Sequence, residues 1–159
     1  MQSSRRLLRF ALAISVLAPS AILTTASSPS GATPSSGITA EVLAQGQTDD
    51  QVHLQQTGGT NMVFERITIQ PGGSTGWHYH LGPILAVVDS GTLTHYDDHC
   101  GVETYIAGQA FEELPGSNRV HMGTNLGDIP VVLAATYVVP AGDPLKVDAP
   151  APSCAQHLK

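Results

Sequence analysis

The fold class this chain predicts is an all-β sandwich or barrel, and three observations predict it. Beyond residue 26 no long stretch repeats its apolar residues at the 3.6-residue period of a helix. Short strand-like runs recur instead, separated by Gly, Pro, Asn and Asp. Only 13 % of the residues are charged and 16 are glycine, which suits a turn-rich β-fold.

The predicted strands follow one another between these breakers. Residues 38–43 open the folded part. Residues 61–70 lie between Gly58-Gly59 and Pro71-Gly72-Gly73, and 77–80 between Gly76 and Gly82-Pro83. Residues 84–89 and 92–96 flank Asp89-Ser90-Gly91, a hairpin signal. Residues 103–106 end before Gly108, 109–114 end at Pro115-Gly116, and 119–121 follow Asn118. Residues 131–139 run between Pro130 and Pro140 and are apolar on both faces, the pattern of a strand buried on both sides. Residues 84–88 are also apolar on both faces, since Leu85 and Val87 alternate with Ile84, Ala86 and Val88. In a small barrel that hints at a homodimer interface. No internal repeat is visible.

The N-terminus reads as an export signal over 1–26. Ser4-Arg5-Arg6-Leu7-Leu8-Arg9 forms a basic region, 10–18 a short apolar core, and Thr24-Thr25-Ala26 a small-residue cleavage site. The apolar core is shorter than the roughly 20 residues of a spanning helix, which weighs against the alternative of a membrane anchor. Ser4-Arg5-Arg6 is similar to part of a twin-arginine signal, although Leu7-Leu8-Arg9 fits that pattern loosely. Residues 27–37, rich in Ser, Pro, Gly, Thr and Ala, have too little apolar surface to offset the entropy of ordering and read as a disordered spacer. One domain over 38–149 and a tail over 150–159 complete the chain. The expected location is extracytoplasmic, with no membrane association after cleavage.

Without the signal, Arg66, Arg119, Lys146 and Lys159 stand against 13 acidic residues, a balance of −9. No basic patch exists, which excludes nucleic acid as an expected partner. Of the two cysteines, Cys100 follows Asp97-Asp98-His99 and Cys154 lies in the proline-rich tail. An even count in an exported chain predicts a disulfide that staples the tail to the body. The alternative is a pair of free thiols. A Cys–His zinc site at Cys100 lacks a second nearby cysteine.

The chemistry centres on His78 and His80, just after a glycine-rich turn. Residues i and i+2 of a strand share a face, so both imidazoles aim at one point. Neutral imidazole is the commonest metal ligand. Downstream, Gly108, Pro115-Gly116, His121 and Asn125 repeat the theme of a glycine, a strand, a turn and a histidine.

These two constellations resemble the paired motifs of the cupin superfamily, G-x5-H-x-H-x3–4-E-x6-G and G-x5-P-x-G-x2-H-x3-N. Gly72, His78, His80 and Gly91 fit the first, and Gly108, Pro115, His121 and Asn125 approximately fit the second, Pro115 falling one residue late. The chain resembles in particular small exported single-domain cupins of the type-2 kind. It shares with them Gly76-Trp77-His78, His80, Gly82-Pro83, Ser90-Gly91-Thr92-Leu93-Thr94 and the paired cysteines. The resemblance implies a jelly-roll barrel, or double-stranded β-helix, with a metal held by His78, His80 and His121. The first motif's glutamate falls on Ile84, which binds no metal, so the implied site has three histidines, no carboxylate and an open position. Such a site resembles that of certain iron dioxygenases, the thiol and diketone dioxygenases among them. Imidazole accepts Fe, Mn, Ni, Cu or Zn, so the divalent metal is not specified.

Other residues carry weaker expectations. Glu113 either points inward as a ligand or acid/base, or is a solvent-facing strand residue beside Glu112. His95, in phase with Leu93, reads as a packed or edge histidine. His53, His99 and His157 read as loop residues, and Trp77 and Tyr79 should face away from the metal. Ile84, Ala86 and Val88 are the expected pocket wall. Two functions remain open: a metal-dependent oxygenase, isomerase or lyase acting on a small organic molecule, or a non-catalytic cupin that binds a small ligand or a structural metal.

Overall fold

The computed structural model describes residues 39–158. The expected export signal over 1–26 and spacer over 27–37 lie outside the described residues. Nine strands follow in order: β1 (Thr60–Ile69), β2 (His78–Tyr79), β3 (Ile84–Ser90), β4 (Thr92–Tyr96), β5 (Val102–Ile106), β6 (Ala110–Glu113), β7 (Met122–Thr124), β8 (Val131–Pro140) and β9 (Val147–Asp148). A short 3-10 helix, Ser153–His157, comes after them. The all-β expectation holds. No helix among the described residues is long and apolar enough to cross a membrane.

Three antiparallel sheets form the barrel, in the orders β1-β8-β3-β6, β5-β4-β7 and β2-β9. The core lies between the two larger sheets. It is built from the alternate residues of β8 (Val131, Leu133, Ala135, Tyr137, Val139) and β3 (Ile84, Ala86, Val88), closed by Ile69, Leu93 and Phe111. The period-2 pattern thus sends one face of each strand inward.

Three expectations are corrected in detail, and one strand was not foreseen. Residues 39–43 form no strand, and Val42 and Leu43 are exposed. The first pairing of this segment is at Gln47, which bridges Gln109. The predicted strand over 119–121 begins later, at Met122, because the turn still holds Arg119 through its N–H to the Gly116 carbonyl. β8 is fully buried on one face only; its outer residues are half-buried. β9 was not legible, because two residues show no period.

Two glycines are required by geometry. Gly91 turns β3 into β4 at φ +79, with the Pro130 carbonyl 2.6 Å from where a Cβ would stand. A Cβ on Gly82 would overlap the Val138 carbonyl, so glycine lets the segment after His80 lie directly on β8. The Cys100–Cys154 disulfide forms and fastens the tail to the β4–β5 turn.

Candidate metal centre

The two sequence motifs meet through backbone bonds. His78 N–H donates to the His121 carbonyl (3.0 Å) and His121 N–H to the His78 carbonyl (2.8 Å). Residues directly opposite on antiparallel chains face the same side, so this bridge sets His78 and His121 side by side. Their ring centroids are 4.5 Å apart, and those of His80 lie 4.9 Å from His78 and 5.1 Å from His121. All three residues are buried.

Each ring is fixed in the same way. Nδ1 of His78 bonds the Gly76 carbonyl (2.8 Å), that of His80 the Leu145 carbonyl (2.6 Å), and that of His121 the Arg119 carbonyl (2.8 Å). A carbonyl only accepts, so each Nδ1 must carry the proton. In the neutral ring Nε2 then presents a lone pair, the tautomer a metal needs.

Of the two readings open for Glu113, the inward one matches its position. Glu113 lies on β6, where its register partner on β3 is Ile84. The carboxylate missing from position 84 is supplied by the residue directly across the ladder. Glu113 Oε2 lies 3.0 Å from His80 Nε2 and 3.4 Å from His121 Nε2, with its side chain only 15 % exposed. One donor atom from each of His78, His80, Glu113 and His121 falls within 4.8 Å of the other three. Glu112 points the other way and accepts the His53 N–H (2.9 Å).

The donor set fits a divalent metal. Nε2 of His80 and of His121 are buried, yet neither makes a hydrogen bond of acceptable geometry. Buried polar atoms rarely go unserved. These atoms converge on a common point rather than on one another, and a cation there would satisfy them together.

The electrostatics agree. Burial pushes His78 down to about 4, and the neighbouring His121 and His80 act in the same direction, against the Gly76 carbonyl. Burial would raise Glu113, but its contacts with His121, His80 and His95 hold it well below the usual carboxylate range. Burial would lower His121, but the Glu113 carboxylate outweighs it and raises that ring. A metal held by these groups would take over the balancing of the Glu113 charge.

A cavity of about 330 Å³ reaches this centre. Ile84, Ala86, Leu93, Phe111, Leu133 and Ala135 form its apolar wall, and Arg66 and Lys146 also border it. Arg66 is held by Asp89 (2.7 Å) and Lys146 by Asp148. Val88 does not border the cavity; it is fully buried in the core. Tyr137 lines it as a neutral phenol, raised by burial and by Glu65. Trp77 packs away from the centre, near Tyr96, Met122 and Ala155.

Barrel topology and motif geometry coincide: His78, His80 and His121 project from the strand ends into one barrel, framed by Gly72, Gly91 and Asn125. The chain has the cupin fold. No protein-family model and no curated protein matches this chain. Solved structures are similar to it. An uncharacterized conserved protein with a double-stranded beta-helix domain from Klebsiella pneumoniae is 24 % identical over 60 % of this chain and 75 % of that one, at TM-score 0.46. A Cupin 2 conserved barrel domain protein from Salinispora arenicola is 20 % identical over 50 % and 64 %, at TM-score 0.45. A sugar phosphate isomerase of the cupin superfamily from Silicibacter pomeroyi is 22 % identical over 55 % and 62 %, at TM-score 0.43. This chain spans less than two thirds of the latter two chains.

Proposed function

We propose that this cupin binds one divalent transition metal through His78, His80, Glu113 and His121 and acts on a small, largely apolar organic molecule. The supporting observation is the convergence of three buried histidines and the partly buried Glu113 at an apolar cavity. Three imidazoles and a carboxylate suit Fe, Mn, Ni, Cu or Zn. A metal bound there supplies Lewis-acid polarisation of a coordinated substrate atom, a service common to oxygenase, isomerase and lyase chemistry. The chain's own residues do the rest. The backbone carbonyls of Gly76, Leu145 and Arg119 hold the ring tautomers. The apolar wall binds the substrate body and excludes water from the centre. The disulfide favours an extracytoplasmic place of work, where such bonds persist.

Metal analysis by mass spectrometry of natively purified protein, with alanine at 78, 80, 113 and 121, tests this reading. Stoichiometric metal that each substitution removes is the expected result. Protein purified without metal and unable to take it up overturns the reading. A metal-loaded protein that holds small molecules without converting them assigns the alternative, a non-catalytic binding cupin.

A further inference from the structure

The two oxygens of Glu113 face different partners. Oε2 lies toward His80 and His121, whereas Oε1 lies 3.4 Å from Nε2 of His95. His95 sits inside the β5-β4-β7 sheet, paired with Glu103 and Gly123. Its ring stacks on His121 (5.2 Å between centroids, 28° between planes) and meets Phe111 at 6.0 Å. Only 13 % of its side chain is exposed. Nε2 is buried without a hydrogen bond of acceptable geometry, and a Glu113 oxygen lies 3.4 Å from it. A buried ring nitrogen carrying a proton needs an acceptor.

Glu113 also has somewhere else to go. It borders both the apolar cavity and a polar groove on the far side, lined by His95, Asp97, Asp98 and Arg119. The terminal torsion of a glutamate is soft, so an untethered carboxylate can swing toward that groove and its water. Ordering it beforehand lowers the cost of assembling a ligand set.

We propose that His95 is a positioning residue: its Nε2 edge, 3.4 Å from Glu113 Oε1, attracts that oxygen and so keeps Oε2 turned toward the three ligand rings. His95 does not belong to the four-donor cluster, so it acts through Glu113. This role rests on reading that cluster as a metal site.

Cobalt(II) titration of the full chain, followed by calorimetry and by visible absorption, tests it with His95→Leu and His95→Gln. Loss of a partner that orients a metal ligand weakens affinity about 10- to 100-fold, and His95→Leu is expected in that range with an altered cobalt spectrum. The glutamine amide can donate in place of the ring, so His95→Gln should recover most of the affinity and the wild-type spectrum. Circular dichroism and Tm establish that each variant is folded. If His95→Leu binds cobalt as the wild type does, or folded His95→Gln binds as weakly as His95→Leu, the role is overturned while the metal site stands. If the wild type itself binds no cobalt, the metal reading falls, and this role with it.

Discussion

Ile84 and Glu113 stand directly opposite each other across the β3–β6 ladder. Cross-strand partners place their Cβ atoms about 5 Å apart on one face of the sheet, so a carboxylate on either strand can address the same point. Glu113→Ala is expected to weaken zinc or cobalt binding by about 100-fold or more, beyond the loss typical of an outer partner. Adding Ile84→Glu to that variant should recover at least about tenfold by restoring the carboxylate from across the ladder. Without metal the same double variant should melt below the wild type, because the buried Ile84 side chain is lost from the core. Calorimetric titration reads the first effect and thermal melting the second. No recovery by Ile84→Glu would mean the two positions do not share a target.

The C-terminal strap reaches the centre through His80. Its Nδ1 bonds the Leu145 carbonyl at 2.6 Å, β9 then pairs with β2, and Cys154 ties the strap to Cys100. The cysteines are 54 residues apart, and loop entropy for that separation is worth about 4 kcal/mol. Cys100→Ser with Cys154→Ser should therefore lower Tm by roughly 15 °C. Metal affinity should fall by less than about tenfold, since β9 still pairs with β2 and the ring loses only part of its restraint. Denaturant melts and calorimetry, with and without reductant, check both effects. Unchanged stability after reduction would show that the strap holds without its bond.

Asn125 closes the second motif from within. It is 1 % exposed. Its Nδ2 donates to the carbonyls of Ile69 (2.9 Å) and Ile129 (2.8 Å), and its Oδ1 accepts the Gly127 N–H (3.0 Å). Alanine would strand three backbone groups, each costing about 1–3 kcal/mol where water cannot reach it. Asn125→Ala is expected to lose roughly 3 kcal/mol or more by urea unfolding. It should leave the ligand distances intact in whatever fraction remains folded. A loss below about 1 kcal/mol would show that water replaces the side chain.

Much of the fold was legible because its strands keep strict alternation between strong breakers. The long strands β1, β3 and β8 fall within a residue of their predicted ends, since Pro71, Pro83 and Pro130 mark them. The histidine pair was legible for a local reason, because His78 and His80 share parity on one segment, and His121 was legible through the second motif. Glu113 was not, because its side is set by pairing with β3, a register that no spacing within β6 encodes. The Pro115-Gly116 turn also breaks the parity between Glu113 and His121. The role of Leu145 was hidden likewise, because a backbone carbonyl leaves no mark on a side-chain pattern. The assignment of Val88 to the pocket failed by one step of the alternation: the strand carries it past the cavity into the core.

Ala135 offers a way to separate the cavity from the centre. It lies on β8 opposite Ala86, and both line the apolar wall. The cavity of about 330 Å³ has room for a phenyl ring where no ligand atom stands. Overpacking a filled core costs about 1–3 kcal/mol, but a ring entering open space should cost less, so Ala135→Phe should keep its Tm within a few degrees. His78, His80, Glu113 and His121 are untouched, and metal affinity should change by less than about threefold. Benzoate, with an apolar body and one metal-seeking end, is a suitable probe. Its affinity for the metal-loaded protein should fall at least about tenfold in the variant, measured by ligand-observed NMR, because the apolar wall no longer admits the ring. Benzoate bound equally by both proteins would place small-molecule binding elsewhere. The polar groove beside His95 and Arg119 would then be the next surface to block.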